Sequence, residues 1–233
     1  MMIDIHSHII FNADDGAPDA EESLRMITKA GEQGIRVIFA TPHFMDGLFD
    51  TDAGWDGFQV LREKAKGAGV ALYPGSEVYL SPDLPQLLKQ KKQLTLGNSR
   101  FVLLELPYGS VPSYTQDVLF KLHQQEFYPI LAHPERNRYF LNHLRSFHEV
   151  LGMGCLIQLD AASIAGIYGI RVRRFAKGII RERLAHFVAS NAHSSGDYAG
   201  RYLEAYRQTI EWADKEYAEL LFSGNAERIV RPS

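Results

Sequence analysis

The chain has a single cysteine, Cys155, among its 233 residues. An intramolecular disulfide is therefore excluded, and the sequence suits a reducing cytoplasm. It has no excess of either charge: Lys and Arg number 25 against 28 Asp and Glu, a net of −3. Nothing in that balance favours nucleic acid or an anionic membrane surface as a partner. No apolar run is long enough to span a bilayer, so membrane insertion is not expected. No basic segment precedes an apolar one at the N-terminus, so no signal peptide is read. Linkers, low-complexity tracts and short repeats are missing too, and the length suits one α/β domain over 1–233.

What is present is one recurring device. A short apolar run ends in His6-Ser7-His8, and similar runs end at His43, Glu77, Glu105, His133 and His193. Each is a strand-like segment with a metal-capable side chain at its tip. One such ending would mean little; six in series make the tips one site, and a metal site.

Helical patterns separate these runs. Asp19 and Glu22 read as a capping box after Pro18, and Leu24, Ile27 and Gly31 fall on one helical face up to Gly34. Further helices are predicted over 55–66, 113–125, 138–151, 171–184 and 201–217. Strands are predicted at 35–40, 70–74, 101–106, 128–132, 155–159 and 186–190, with a turn at Gly97-Asn98-Ser99. Such alternation implies a parallel sheet. At about 4.8 Å per strand, six tips in an open row would span roughly 24 Å, too wide for shared ions. Closing the sheet gathers the tips at the C-terminal mouth of a barrel. About seven strands are counted where eight are usual, so the expected fold is α/β, a distorted, seven-stranded (β/α) barrel of the TIM-like type.

His6 and His8 are two apart on a strand end and point to the same side. Imidazole with carboxylate suits Zn, Fe or Mn. Asp14-Asp15-Gly16 offers a further carboxylate from a loop, and Glu77 and Glu105 each have two oxygens with which to bridge ions. The expectation is two or three divalent ions, which for zinc lower the pKa of bound water to about 7. A lone histidine is more often a packing residue than a ligand. On that ground His123, His143 and His148, in helical stretches, and His186, at the start of a strand, are set aside. Arg136, just past the His133 tip, is suited to fork onto phosphate oxygens, with a salt bridge to Glu135 or Asp160 as the alternative. The basic run Arg171, Arg173, Arg174, Lys177, Arg181 and Arg183 reads as a solvated helix face, or as a dock for an acidic or phosphorylated segment. Tyr108, Tyr114, Tyr139 and Tyr168 fall in mouth loops and are candidates to stack on an aromatic substrate.

These residues resemble the polymerase-and-histidinol-phosphatase (PHP) superfamily. More closely, the chain resembles its bacterial manganese-dependent protein-tyrosine phosphatases of capsule and exopolysaccharide synthesis. The resemblance runs over essentially the whole chain. It rests on Ile3-Asp4-Ile5-His6-Ser7-His8-Ile9, Asp14-Asp15-Gly16 with Glu21-Glu22-Ser23, Thr41-Pro42-His43 and Gly75-Ser76-Glu77-Val78-Tyr79. Leu104-Glu105, Ala132-His133-Pro134-Glu135-Arg136 and Ala189-Ser190-Asn191-Ala192-His193 complete it. It implies a trinuclear site, foremost of manganese, with iron or zinc as alternatives. His6, His8 and Glu77 would hold one ion, completed by Asn191; Asp15, His43 and His193 a second; Glu77, Glu105 and His133 the third. Arg136 matches an arginine associated with phosphate binding. The implied substrate is phosphotyrosine on the tail of a bacterial tyrosine kinase.

The reaction expected is direct hydrolysis by a metal-bound hydroxide, the leaving phenolate taking its proton from water or from a nearby acid, with Asp15 or His43 as candidates if free to donate. Cys155 does not begin the cysteine–five residues–arginine pattern of cysteine phosphatases, because Ala161 stands in the arginine place. Two departures stand out. The family usually has aspartate where this chain has Asn191. Related enzymes often place an arginine soon after His193, whereas 194–200 intervene here before Arg201, a second candidate for substrate binding. The rival readings are a small-molecule phosphatase such as one for histidinol phosphate, an amidohydrolase, and a non-catalytic metal-binding barrel. Amidohydrolases also open on His-x-His but often carry a modified lysine at a strand tip, where this chain has glutamates. The physiological metal and the oligomeric state are left open.

Overall fold

A computed structural model describes residues 1–45 and 55–230. The chain runs β1 (Met2–Ser7), α1 (Ala20–Glu32), β2 (Ile35–Ala40), β3 (His43–Phe44), α2 (Trp55–Gly67), β4 (Ala71–Pro74), β5 (Glu77–Tyr79) and α3 (Leu84–Gln90). It continues through β6 (Phe101–Glu105), α4 (Thr115–Gln124), β7 (Tyr128–Ala132), α5 (Arg138–Asn142), α6 (Leu144–Gly152), β8 (Leu156–Asp160) and α7 (Ala161–Ala165). The last elements are α8 (Ile170–Arg181), β9 (Phe187–Ala189), α9 (Arg201–Trp212), α10 (Lys215–Glu219) and α11 (Asn225–Val230).

Every ladder is parallel. One sheet has the order β1-β2-β4, the other β3-β5-β6-β7-β8-β9. The two are halves of one succession, because β2 resumes as β3 after Thr41-Pro42 and β4 resumes as β5 after Gly75-Ser76. Proline has no amide hydrogen to give a ladder. At Gly75 an added Cβ would lie 2.8 Å from Leu96 Cδ2, so a larger residue there would have to displace the Leu96 side chain. Counted through these breaks the strands among the described residues number seven, as expected from the sequence.

The succession returns on itself at β9 and β1 by other means than a ladder. A single parallel bridge joins Ser7 to Ala192. His8 N donates to Ala192 O at 2.8 Å and Asn191 N to His6 O at 2.9 Å. The Asp4 carboxylate accepts from Ser190 N at 2.9 Å, Ser190 Oγ at 2.5 Å and the Tyr198 hydroxyl at 2.7 Å. Asp4 is fully buried, and burial raises its pKa above the usual carboxylate value even against these hydrogen bonds.

Inside the strands, Ile3, Ile5, Val37, Phe39, Leu103, Ile130 and Phe187 form a closed apolar cluster with Ala226 and Ile229 of α11. A larger cluster packs the outer strand faces against the helices. There Val172, Ala176, Ile179 and Ile180 of α8 are buried, as its apolar stripe predicted.

Three helices differ from the sequence reading. Asp19 does cap α1, accepting from Glu22 N at 2.8 Å, but Glu22 turns its own carboxylate to Ser195 N at 2.6 Å instead of back to the cap. The helix predicted over 138–151 breaks at His143, whose Nδ1 lies 3.0 Å from Tyr139 O. The one over 201–217 breaks before Asp214, which caps α10 through Tyr217 N at 2.8 Å.

Candidate metal centre

The strand order carries the predicted side chains to one end. His6 lies in β1 with His8 just beyond it, His43 opens β3, Glu77 opens β5 and Glu105 closes β6. His133 follows β7, while Asn191 and His193 follow β9. Two of these positions need unusual backbone: His133 has φ 34° and Asn191 φ 49°, in the left-handed region that few non-glycine residues adopt.

Glu77, 1% exposed, is the hub. Its Oε2 lies 3.2 Å from His6 Nε2, 3.3 Å from His8 Nε2 and 3.1 Å from His43 Nδ1. Its Oε1 lies 2.8 Å from His133 Nε2. Glu105 Oε2 is 3.7 Å from His43 Nδ1. On the other side of His43, Asp15 Oδ1 stands 3.6 Å from His43 Nε2 and 3.4 Å from His193 Nε2. Three groups of potential ligand atoms thereby converge: His6, His8 and Glu77; His8, Asp15, His43 and His193; and His43, Glu77 and Glu105.

Whether these atoms suit a cation is decided by where the protons are. His8 Nδ1 faces Asp14 Oδ2 at 2.6 Å, and His193 Nδ1 faces the Asn191 carbonyl at 3.0 Å. His6 Nδ1 faces Gln158 Oε1 at 3.0 Å. All three partners are acceptors, so in a neutral ring Nδ1 carries the proton and Nε2 keeps a lone pair. This is the outer arrangement usual for metal-ligating histidines. Yet His6 Nε2 and His8 Nε2 lie only 3.1 Å apart, with a carboxylate oxygen beside both. Lone pairs pointed at one another are stabilised by a cation between them. The buried Asn191 Oδ1 is also an acceptor with no hydrogen-bond donor. The donor set fits divalent metal ions.

Charge within the site is strongly perturbed. Against burial, hydrogen bonds and charge from Asp14 and Glu77 push His8 up to about 10. Against burial again, Asp160 and Glu77 push His133 up to about 9. Burial and the charge of His8 bring His193 down to about 4. Asp14 would be raised by burial, but His8 and the amides of His43 and Gly16 hold it at about 2. That loop must come close: a Cβ at Gly16 would lie 2.1 Å from His8 O.

Three contributors were not foreseen. Asp14 orients His8 where only Asp15 had been assigned. Gln158 and Asp160 end β8, and both are fully buried. Gln158 Nε2 donates to Asp160 Oδ1 at 3.0 Å, and Asn191 Nδ2 donates to Asp160 Oδ2 at 3.1 Å. The signal was available as a seventh apolar run ending in a carboxylate. Arg136 takes the salt-bridge alternative, donating to Asp160 Oδ2 at 2.8 Å. Its guanidinium also lies 4.5 Å from the centre of the Tyr168 ring. Arg201 pairs with Asp197 at 2.5 Å, and Asp197 in turn accepts from His193 N at 3.1 Å, so Arg201 adjoins the site through one intermediary. Of the other tyrosines, Tyr114 donates to Leu80 O and Tyr139 stacks on His143. Much of the basic helix is engaged within the chain: Arg173 with Gln208 and Ile164 O, Arg171 with Asn142, Lys177 over Trp212, and Arg183 with Asp214.

With this geometry in hand, comparison with known proteins is informative. A family model for capsular polysaccharide synthesis, CpsB/CapC, matches residues 2–231. The chain belongs to the CpsB/CapC family. Within the family, it is 34% identical over 197 residues to tyrosine-protein phosphatase YwqE of Bacillus subtilis, covering 83% of this chain and 78% of that one. It is 32% identical over 239 residues to tyrosine-protein phosphatase CpsB of Streptococcus agalactiae, covering 99% and 98%. A crystal structure from work on YwqE of Bacillus subtilis and CpsB of Streptococcus pneumoniae, named there as metal-dependent tyrosine phosphatases, superposes with a TM-score of 0.92. Identity is 31%, over 99% of this chain and 94% of that one.

Proposed function

We propose that this protein is a metal-dependent protein-tyrosine phosphatase, with manganese as its resident metal. In this reading it acts in the cytoplasm, and its substrate is the phosphotyrosine tail of a bacterial tyrosine kinase that regulates capsule or exopolysaccharide synthesis. One observation carries the reading: Glu77 holds His6, His8, His43 and His133 around a single carboxylate at the strand tips, in a chain of the CpsB/CapC family. No helix among the described residues is long and apolar enough to cross a membrane.

His6, His8 and Glu77, with Asn191, would hold one ion; Asp15, His43 and His193 a second; Glu77, Glu105 and His133 a third. When bound, such ions lower the pKa of water and neutralise phosphate charge. The remaining work falls to the chain. Arg136, 28% exposed on its side chain, keeps N–H groups beyond the one given to Asp160 and can present them to phosphate oxygens. Tyr168 below its guanidinium fixes the plane of the fork. Beside His43 and Glu105 lies a pocket of about 140 Å³ walled by Phe44, Met45 and Tyr79, suited to a phenol ring. Asp15, 66% exposed on its side chain, and His43 border solvent, so the departing phenolate takes its proton from water, or from either side chain when it is free of the ion. Cys155 takes no part: it is buried, and burial pushes its thiol up to about 12.

The test is phosphate release from a phosphotyrosyl peptide with and without Mn²⁺, with histidinol phosphate in parallel and Cys155→Ser alongside the parent. Manganese-dependent release from the peptide, equal in both proteins, is expected. Preference for histidinol phosphate would move the protein to small-molecule chemistry. Loss of turnover in a folded Cys155→Ser would overturn the metal-centred reading.

A further inference from the structure

We propose that Asp160 is a positioning residue of the metal centre: it turns the amide oxygen of Asn191 towards a divalent ion and supplies the negative charge that the amide lacks. The inference rests on the metal-centre part of the reading above and is independent of the substrate.

A side-chain amide is two-faced. Beside a cation only its oxygen is useful, and a free amide has little to stop it presenting the NH₂ instead. Asn191 is held at two points. Its backbone N donates to His6 O at 2.9 Å, which fixes it beside the first proposed ligand, and its φ of 49° sets the turn. Its Nδ2 donates to Asp160 Oδ2 at 3.1 Å. With NH₂ consumed there, Oδ1 is left buried and without a donor, which is normally unfavourable. A divalent ion accepts that oxygen directly, so the orphan becomes a ligand.

Asp160 does the same for a second amide. Its Oδ1 takes the NH₂ of Gln158 at 3.0 Å, which leaves Gln158 Oε1 for His6 Nδ1 at 3.0 Å and hence His6 Nε2 with its lone pair inward. One carboxylate therefore sets the polarity of both amides that adjoin His6. It is itself held by its own amide N, which donates to Glu135 Oε1 at 2.9 Å, and by Arg136 at 2.8 Å. Full burial would make an unpaired carboxylate costly here; three donors from three residues, Gln158, Asn191 and Arg136, make it a fixed one. Electrostatically, the neutral Asn191 and the anionic Asp160 act together as one carboxylate divided between two neighbouring strand tips.

The experiment is Mn²⁺ titration by calorimetry of the chelator-treated full-length protein, with folding checked by circular dichroism. In Asp160→Asn an NH₂ replaces one acceptor, so it opposes the NH₂ of Asn191 or of Gln158 and one amide must flip. Affinity for Mn²⁺ should fall about 10–100-fold, the usual loss for an outer partner of a metal ligand. The decisive variant exchanges the two groups, Asp160→Asn with Asn191→Asp. It conserves the net charge and reverses the hydrogen bond between 160 and 191 while giving up the one from Arg136, and should bind Mn²⁺ within a few-fold of the parent. Even with the single variant misfolded, the exchange variant gives the answer. Parent-like affinity in a folded Asp160→Asn, or an exchange variant as weak as the single one, would overturn the proposal. A parent that binds no Mn²⁺ would sink the metal centre itself, whereas a parent that binds Mn²⁺ but spares phosphotyrosine would sink only the substrate assignment.

Discussion

Ile3, Ile5, Val37, Phe39, Leu103 and Ile130 pack with Ala226 and Ile229 of α11 in one apolar cluster. A few residues further along the same strands and their extensions stand His6, His43, Glu77, Glu105 and His133. The apolar end is assembled by the hydrophobic effect alone, and each of its members gains from the others. The tip end gathers carboxylates and imidazoles out of water, which is unfavourable unless they are paired with one another or with ions. One backbone thus carries a region that makes the fold and a region that the fold must hold together. Stability and chemistry should be separable by substitution along a single strand.

The largest effect should come from the tips. His6→Ala removes one of the three ligands around Glu77 Oε2. Turnover of a phosphotyrosyl peptide should fall by more than about a hundredfold, beyond the 10–100-fold typical of an outer partner, and bound manganese should fall with it. Full activity with full metal content would break the comparison. At the opposite end, Phe39→Ala should cost ~3–5 kcal/mol in a denaturant titration, since Phe39 is completely buried. What protein stays folded should keep its Mn²⁺ affinity; a loss of affinity as large as that in His6→Ala would show that the two ends are not separable. A third test concerns pH. His8, at about 10, and His133, at about 9, are protonated at neutral pH and must each lose that proton to serve as ligands. Mn²⁺ affinity should therefore rise between pH 6 and 8, by about a hundredfold for each proton displaced. An affinity flat across that interval would argue against both histidines as ligands.

The same contrast explains what could be read in advance. Apolar runs are legible because burial selects the same side chains everywhere, and the tips were legible because histidine and glutamate are unexpected at such places. The two interruptions at Pro42 and Gly75 did not hide the strands that they divide, since the apolar pattern resumes across them. Asp160 was read only as a partner for Arg136 and not as a strand tip, because the run before it was ended one residue early, and Gln158 was passed over because a glutamine announces no metal chemistry until its hydrogen-bond partner is known. Asp4 was hidden between Ile3 and Ile5: its partners Ser190 and Tyr198 are 186 and 194 residues away, and no local pattern points to them. The break at His143 was equally silent, because residues on both sides of it favour helix.

That seam between β1 and β9 also has a consequence in time. The histidines of β1 leave the ribosome early, but Ser190, Asn191 and His193 are added more than 180 residues after Asp4. Contacts so distant in sequence close late in folding, because the loop entropy must be met before they form. Until then His6 and His8 have neither Asn191 beside them nor the bridge from Ser7 to Ala192. The two ion sites proposed to draw on Asn191 and His193 are thereby left incomplete until β9 has joined β1.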